Sequence, residues 1–232
     1  MFSLVIPCYN EEATIELILE KTEKSFTENN IELVLVNNGS TDNSEKILSK
    51  IIKNYSHVNF INLRENLGYG GGILAGLKIC KGDIIGWTHA DLQTDPLDAV
   101  NAFKQFHSKI NRNLYIKGNR KNRPLKDQFF TFGMSIFESI LLNKIIYDVN
   151  AQPTIFSKDF FESWQNPPTD FSLDLYSYYL ALKKSLEIKR LEVKFNARIA
   201  GESSWNKGFS SKLRFILRTL KYSIKLKFNS IN

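Results

Sequence analysis

The first half of the chain alternates short apolar runs with segments whose apolar residues recur every three or four positions. "FSLVI" (2–6) is followed by a segment with Ile15, Ile18, Leu19 and Phe26 on one helical side, and "ELVLV" (32–36) by one carrying Ile47, Leu48 and Ile51. "VNFINL" (58–63) precedes the glycine-rich "NLGYGGGILAGL", and "DIIGW" (83–87) precedes "THADLQTDP". Strands that are apolar along nearly their whole length, separated by helices, predict an α/β fold with a mostly parallel sheet covered on both faces. The second half is less regular. It predicts a strand at 114–117, a basic loop "GNRKNRPLK", helices near 128–142 and 171–185, and a strand over "EIKRLEVKF".

In a parallel sheet the ligand site lies at the carboxyl ends of the strands. Here those exits read "PCYNEE", "NNGSTDNS", "RENLGYGGG" and "THADLQTDP"; each is polar and each opens a helix. Helix N-termini favour anions such as phosphate. Any single exit reads more readily as a cap or turn, but four in register predict a nucleotide site. Within the last exit, Asp91 is either a cation ligand or a cap on the following turn. Asp95, preceding Pro96, is expected to cap a helix starting at 97.

Composition narrows the class. With 232 residues, 43% of them apolar, the chain can bury a full core. Cys8 and Cys80 fit no metal or disulfide spacing and are expected to be packing residues of a reduced, cytoplasmic protein. The chain starts directly in a strand pattern without a basic leader, so no cleavable signal is expected. The apolar stretch from Phe129 carries Glu138 and Lys144 and makes a poor bilayer span. The net charge of +7 is localised: Ser203 to Asn232 holds seven basic residues and no acid. Arg214, Arg218, Lys221 and Lys225 form one helical stripe, opposed by Leu213, Ile216, Leu217, Leu220 and Ile224. That pattern suits either a helix lying on an anionic membrane surface or one docked on the domain with a solvated basic face. Nothing else points to nucleic acid, which is not expected as a partner. The composition shift divides the chain into 1–204 and a basic helical tail, 205–232.

The exits carry a family resemblance. "SLVIPCYNEE", "VNNGSTD", "RENLGYGGG", "ADLQTDP" and "RIAGESSW", in this order and spacing, resemble the inverting glycosyltransferases of family 2 that include the dolichyl- and polyprenyl-phosphate sugar transferases. The match covers about residues 3–204 and implies a GT-A fold, a nucleotide-binding sheet merged with an acceptor-binding half. Residue by residue, it places Pro7, Tyr9, Glu11, Asn38 and Gly68 at the nucleotide sugar, and Asp91 with Gln93 at a divalent cation, Mg²⁺ or Mn²⁺, on the donor diphosphate. Oxygen ligands suit such a cation, and it stabilises the departing diphosphate as a Lewis acid. Arg198 and Ser203 close over the diphosphate. Arg120 stands near the donor or acceptor phosphates, with Arg123 and Gln152 on the acceptor side. Two departures stand out: Asn37 and Asn38 replace the family's paired aspartates, and His89 replaces the first acid of D-A-D. An imidazole suits Mn²⁺ better than Mg²⁺, so His89 is a third candidate ligand.

The expected reaction is displacement at the anomeric carbon with inversion. A polyprenyl-phosphate acceptor is already anionic and needs no base. The alternative, a sugar hydroxyl of a lipid-linked glycan, needs a carboxylate to take the proton, and Asp170 and Asp174 are the candidates. A further alternative is a non-catalytic sugar-nucleotide or lipid-binding protein, motivated by the missing acids at 37, 38 and 89.

Overall fold

The computed structural model describes residues 1–106, 113–122, 125–198 and 209–229, with the backbone alone at 126, 127, 130, 209–215 and 229. Strands β1 (Phe2–Cys8), β2 (Ile31–Asn38), β3 (Val58–Leu63) and β4 (Ile84–Trp87) alternate with helices α1 (Ile15–Glu28), α2 (Ser44–Ile51) and α3 (Gly68–Ile79). After α4 (Leu97–Phe106) follow β5 (Leu114–Lys121), α5 (Leu125–Leu142), β6 (Thr154–Ser157), α6 (Lys158–Glu162), α7 (Ser172–Lys183), β7 (Glu187–Lys194) and α8 (Phe209–Asn229). The strands form one sheet in the order β3-β2-β1-β4-β6-β5-β7, in which only β6 runs antiparallel to its neighbours.

The period of two along each strand divides the core into two layers. Phe2, Leu4, Ile6, Leu33 and Leu35 pack under α1 and α4, whereas Val5, Val34, Val36 and Trp87 face α3 and α7. Fully burying a side chain such as Phe2 contributes roughly 1.5–3 kcal/mol. Where β6 inserts, neighbouring strands approach closely. A Cβ on Gly86 would lie 2.3 Å from the Thr154 carbonyl oxygen, and one on Gly118 would lie 2.1 Å from that of Gln152.

Two expectations about elements change. The strand expected at 114–117 continues to Lys121, because β7 pairs with it in register from Leu114↔Glu187 to Lys121↔Lys194. Arg120 therefore sits on a strand, not in a basic loop. The short β6 and α6, which no periodicity marked, complete the sheet. The tail does form a helix, and α8 packs against α5 and α7, burying Ser223 and Leu226. No helix among the described residues is long and apolar enough to cross a membrane.

Candidate functional site

The carboxyl ends of β1 and β4 bring Glu11 and Asp91 to the same place, and the segment after β7 delivers a cation to both. Arg198 Nη2 donates to Asp91 Oδ2 at 2.7 Å, and its Nη1 lies 4.0 Å from Glu11 Oε1. The Asp91 loop is held in shape by its own backbone. Leu92 has a positive φ of 55°, the Gln93 N–H donates to Asp91 Oδ1 at 3.1 Å, and Asn196 N–H donates to the Gln93 carbonyl at 2.8 Å. Burial, reinforced by the charge of Asp91, raises the Glu11 carboxyl above its ordinary pKa, while Thr14 and Arg198 pull it back. Two carboxylates already converge on a guanidinium here, so the position favours positive charge. The hard oxygen donors of Asp91 and Glu11 fit Mg²⁺ or Mn²⁺.

The other two candidate cation ligands are turned elsewhere. The Gln93 side chain donates to the Asn196 carbonyl at 3.3 Å. His89 stacks on Tyr69 with ring centroids 5.6 Å apart, and burial lowers its pKa, against the opposing pull of Asp91. Among the described residues no group of three or more His, Cys, Asp or Glu side chains is arranged to hold a metal. The trio His89, Asp91 and Gln93 is thus not assembled as one ligand set, because alternate residues of this loop point to different neighbours. Asp95 acts as expected, accepting the Leu97 N–H at 3.0 Å, and also pairs with Lys21 at 2.8 Å.

Behind His89 lies a buried polar core. Tyr69 stacks on Phe171 at 4.6 Å as well as on His89. Asp174, 1% exposed, accepts from Lys117 Nζ at 3.2 Å and from Gln152 Nε2 at 2.7 Å. Lys117 also donates to Thr154 at 2.9 Å, and Gln152 reaches the Tyr69 hydroxyl at 3.3 Å. Burial draws the Lys117 ammonium down to about 8 despite the attraction of Asp174. This corrects two expectations. Asp174 is committed to an internal ion pair, out of reach of an incoming hydroxyl. Gln152, fully buried beside it, braces that core and does not face an acceptor. The other candidate base, Asp170, accepts the Ser172 N–H at 2.9 Å at the start of α7.

Asn37 and Asn38 also have structural work. Asn38 accepts from the Leu67 N–H at 3.0 Å and donates to the Gly68 carbonyl at 2.9 Å and to Asn66 at 3.3 Å. An aspartate could accept the first bond but not donate the others. Asn37 donates to Asn62 at 2.5 Å. Asn38 is 3% exposed, so its amide pins the loop before α3 and is not presented to a base. Gly68, with φ 80°, is pressed against the 168–170 segment: a Cβ there would lie 2.6 Å from the Thr169 carbonyl oxygen. The glycine run allows close packing of backbones. Of the remaining donor-side candidates, Tyr9 is exposed and Pro7 half-buried.

Arg120 is engaged by Asp148 through Nε and Nη2 and lies over the Phe195 ring at 5.3 Å. It also borders a small open pocket of about 60 Å³ between α5, α7 and α8, whose walls include Ser135, Glu138, Asn150, Phe171 and Thr219. Glu138 was read in the sequence only as an obstacle to membrane spanning. It is 3% exposed, and burial alone pushes its carboxyl up to about 7. The signal available was an acid set among Ile136, Phe137, Ile140 and Leu141. On α8, Arg218, Lys221 and Lys225 face solvent. Arg123 and Ser203, and the side chain of Arg214, lie outside the described residues.

Three comparisons with known proteins bear on the family and the fold. The family model described as glycosyl transferase family 2 matches residues 3–163. Among curated relatives, the undecaprenyl-phosphate 4-deoxy-4-formamido-L-arabinose transferase of Proteus mirabilis is 42% identical over 97 residues, covering 40% of this chain and 30% of that protein. The Shewanella sediminis protein of the same name is 31% identical over 147 residues, covering 62% and 42%. The chain thus spans less than half the length of these relatives. Among solved structures, glucosyl-3-phosphoglycerate synthase from Mycobacterium tuberculosis, in complex with Mn²⁺, UDP and glucosyl-3-phosphoglycerate, superposes with a TM-score of 0.72 at 18% identity. That match covers 97% of this chain and 80% of the synthase. S. aureus TarS 1–349 gives 0.57 at 18% identity, covering 84% and 60%. The fold is that of the GT-A glycosyltransferases.

Proposed function

The chain belongs to glycosyl transferase family 2, and from that premise we propose that it moves a sugar from a nucleotide-diphosphate sugar to a polyprenyl phosphate, with inversion, at the cytoplasmic face of a membrane. The observation that carries the reading is the meeting of Glu11, Asp91 and Arg198 at the carboxyl ends of β1 and β4. A donor diphosphate brings negative charge to this point, and Arg198 supplies a planar donor for it. Asp91, with Glu11 beside it, would hold a divalent cation, which as a Lewis acid eases departure of the nucleoside diphosphate. The Mn²⁺ and UDP bound by the M. tuberculosis synthase support a cation in this role.

The acceptor follows from the carboxylates. Asp174 is buried and tied to Lys117, and Asp170 accepts a helix-start N–H, which supports an acceptor that needs no base. A phosphate oxygen needs no such base, and the relatives' names point to undecaprenyl phosphate as acceptor in those proteins. On this reading residues 1–204 form the transferase unit and 205–232 a tail at the membrane. The test is to incubate the purified protein with undecaprenyl phosphate and a panel of sugar nucleotides, with and without Mn²⁺. Turnover of one donor, lost on Asp91→Ala, is expected. Failure of every donor to bind or react would sink the transferase reading, and cation-independent turnover by Asp91→Ala would remove the metal role.

A further inference from the structure

Helix α5 is built inside out. Its inward face carries Thr131, Ser135 and Glu138 toward the pocket. Its outward face carries Leu125 (81% exposed), Phe129 (81%), Phe132 (56%), Ile136 (44%) and Ile140 (76%). At 100° per residue these five side chains fall within an arc of roughly 80° and extend about 22 Å along the helix. The loop beyond it adds Ile145 at 88% exposure. Large side chains exposed in one contiguous row mark a binding surface, unlike scattered single ones.

The neighbouring helix identifies the occupant. α8 packs on α5 more extensively than on any other element and exposes its own row of Leu217 (55%), Ile224 (45%) and Phe228 (63%). Arg218, Lys221 and Lys225 border that row on one side and are solvent-facing, and α8 contains no acidic residue. An apolar row flanked by cations matches the boundary between acyl chains and anionic headgroups. A protein partner would have to supply both an apolar groove and an acidic rim; an anionic bilayer supplies both everywhere.

We propose that the outward face of α5, with the adjoining row of α8, is a membrane-docking surface that inserts its aromatic and aliphatic side chains among lipid tails while the α8 cations engage anionic headgroups. The tail alone is therefore not the anchor: α5 and the α8 row share the apolar contact, and α8 supplies the charge.

The test is sedimentation of the full chain with vesicles of phosphatidylcholine, and of phosphatidylcholine with phosphatidylglycerol. Both lack polyprenyl phosphate and nucleotide sugar, so the outcome is independent of the transferase reading. F129S/F132S/I140S replaces solvent-facing side chains only, and its fold is checked by circular dichroism. It is expected to bind both vesicles at least about tenfold more weakly, since each ring or aliphatic chain withdrawn from lipid carries a large share of the partition energy. K221E/K225E is expected to abolish the preference for phosphatidylglycerol. Leu17→Ser, at an apolar residue on α1 that is 42% exposed but stands outside this row, should leave binding unchanged. An undiminished bound fraction for the α5 triple variant would overturn the proposal. So would concentration-dependent self-association of the parent chain that the same variant eliminates, which would assign the face to a second copy.

Discussion

Removing the Asp174 carboxylate is expected to destabilise the fold more than removing any exposed acid, and in a pH-dependent way. Lys117 is fully buried and Asp174 is 1% exposed, with 3.2 Å between the charged atoms. At an effective dielectric of 20 their attraction is about 5 kcal/mol, most of it offset by the desolvation of both groups. Asp174→Ala leaves the ammonium buried without a counterion, which costs about 3–5 kcal/mol. The lysine can escape only by shedding its proton. In the parent its folded pKa is already drawn down to about 8 by burial; without the attraction of Asp174 it falls further. A folded pKa below the unfolded one means that stability rises with pH across the interval between them. That interval opens near pH 8 in the parent and at lower pH in the variant. The variant's deficit should therefore narrow by about 1 kcal/mol between about pH 7 and about pH 9.5. Urea unfolding followed by tryptophan fluorescence reads both quantities, and K117M/D174L should return to within about 1 kcal/mol of the parent. A deficit below about 1 kcal/mol at neutral pH, or one independent of pH, would refute the buried-pair argument.

Three further outcomes are expected. Glu138 has its folded pKa raised to about 7 by burial, so the parent loses stability as pH rises from the ordinary carboxylate range through that value. Glu138→Gln should be more stable on the order of 3 kcal/mol near pH 8 and indistinguishable near pH 4, as read from thermal melts across pH. Asn38→Asp removes the donors to Gly68 and Asn66 and should cost about 1–3 kcal/mol in chemical denaturation; an unchanged midpoint would show that the amide is not needed. Gly118→Ala drives a Cβ to 2.1 Å from the Gln152 carbonyl oxygen, a backbone atom that cannot step aside, and should lower the melting temperature through a cost of about 1–3 kcal/mol.

The parts of the fold legible in the sequence are those where burial and apolarity coincide. β1 and β2 are buried along nearly their whole length and are written in Leu, Ile and Val. β6 has four residues and follows "DVNAQP", too short a pattern to read. α7 was expected near 171–185 and runs from Ser172 to Lys183, but it buries nine of its twelve residues on all sides, Ser172, Asp174 and Ser177 among them, so no one-sided stripe told which face it buries. Asp174 stood out in the sequence as a candidate base, but nothing there signals the Lys117 that meets it from 57 residues away. Asp91 and Arg198, 107 residues apart, were each marked by a motif, yet their direct contact is a property of how the segment after β7 returns past the β4 exit. The amide of Asn38 looked like a weakened ligand in the sequence and is a loop clamp in the structure.

α5 shows why a periodic apolar stripe does not by itself say which way a helix faces. The usual assumption points the stripe inward, and here the inward positions are Ser135 and Glu138, buried to 5% and 3% exposure, while Phe129 and Ile140 lie open. A carboxyl kept from water at a cost is worth retaining where a ligand meets it, and an apolar row kept in water at a cost is worth retaining where lipid meets it. Both costs fall on one helix, which makes α5 the wall between a polar pocket bordered by Arg120 and the face proposed to rest on the bilayer. If the acceptor is the lipid-borne phosphate proposed above, this arrangement matches its amphipathicity: headgroup toward the pocket side of α5, chain toward the other.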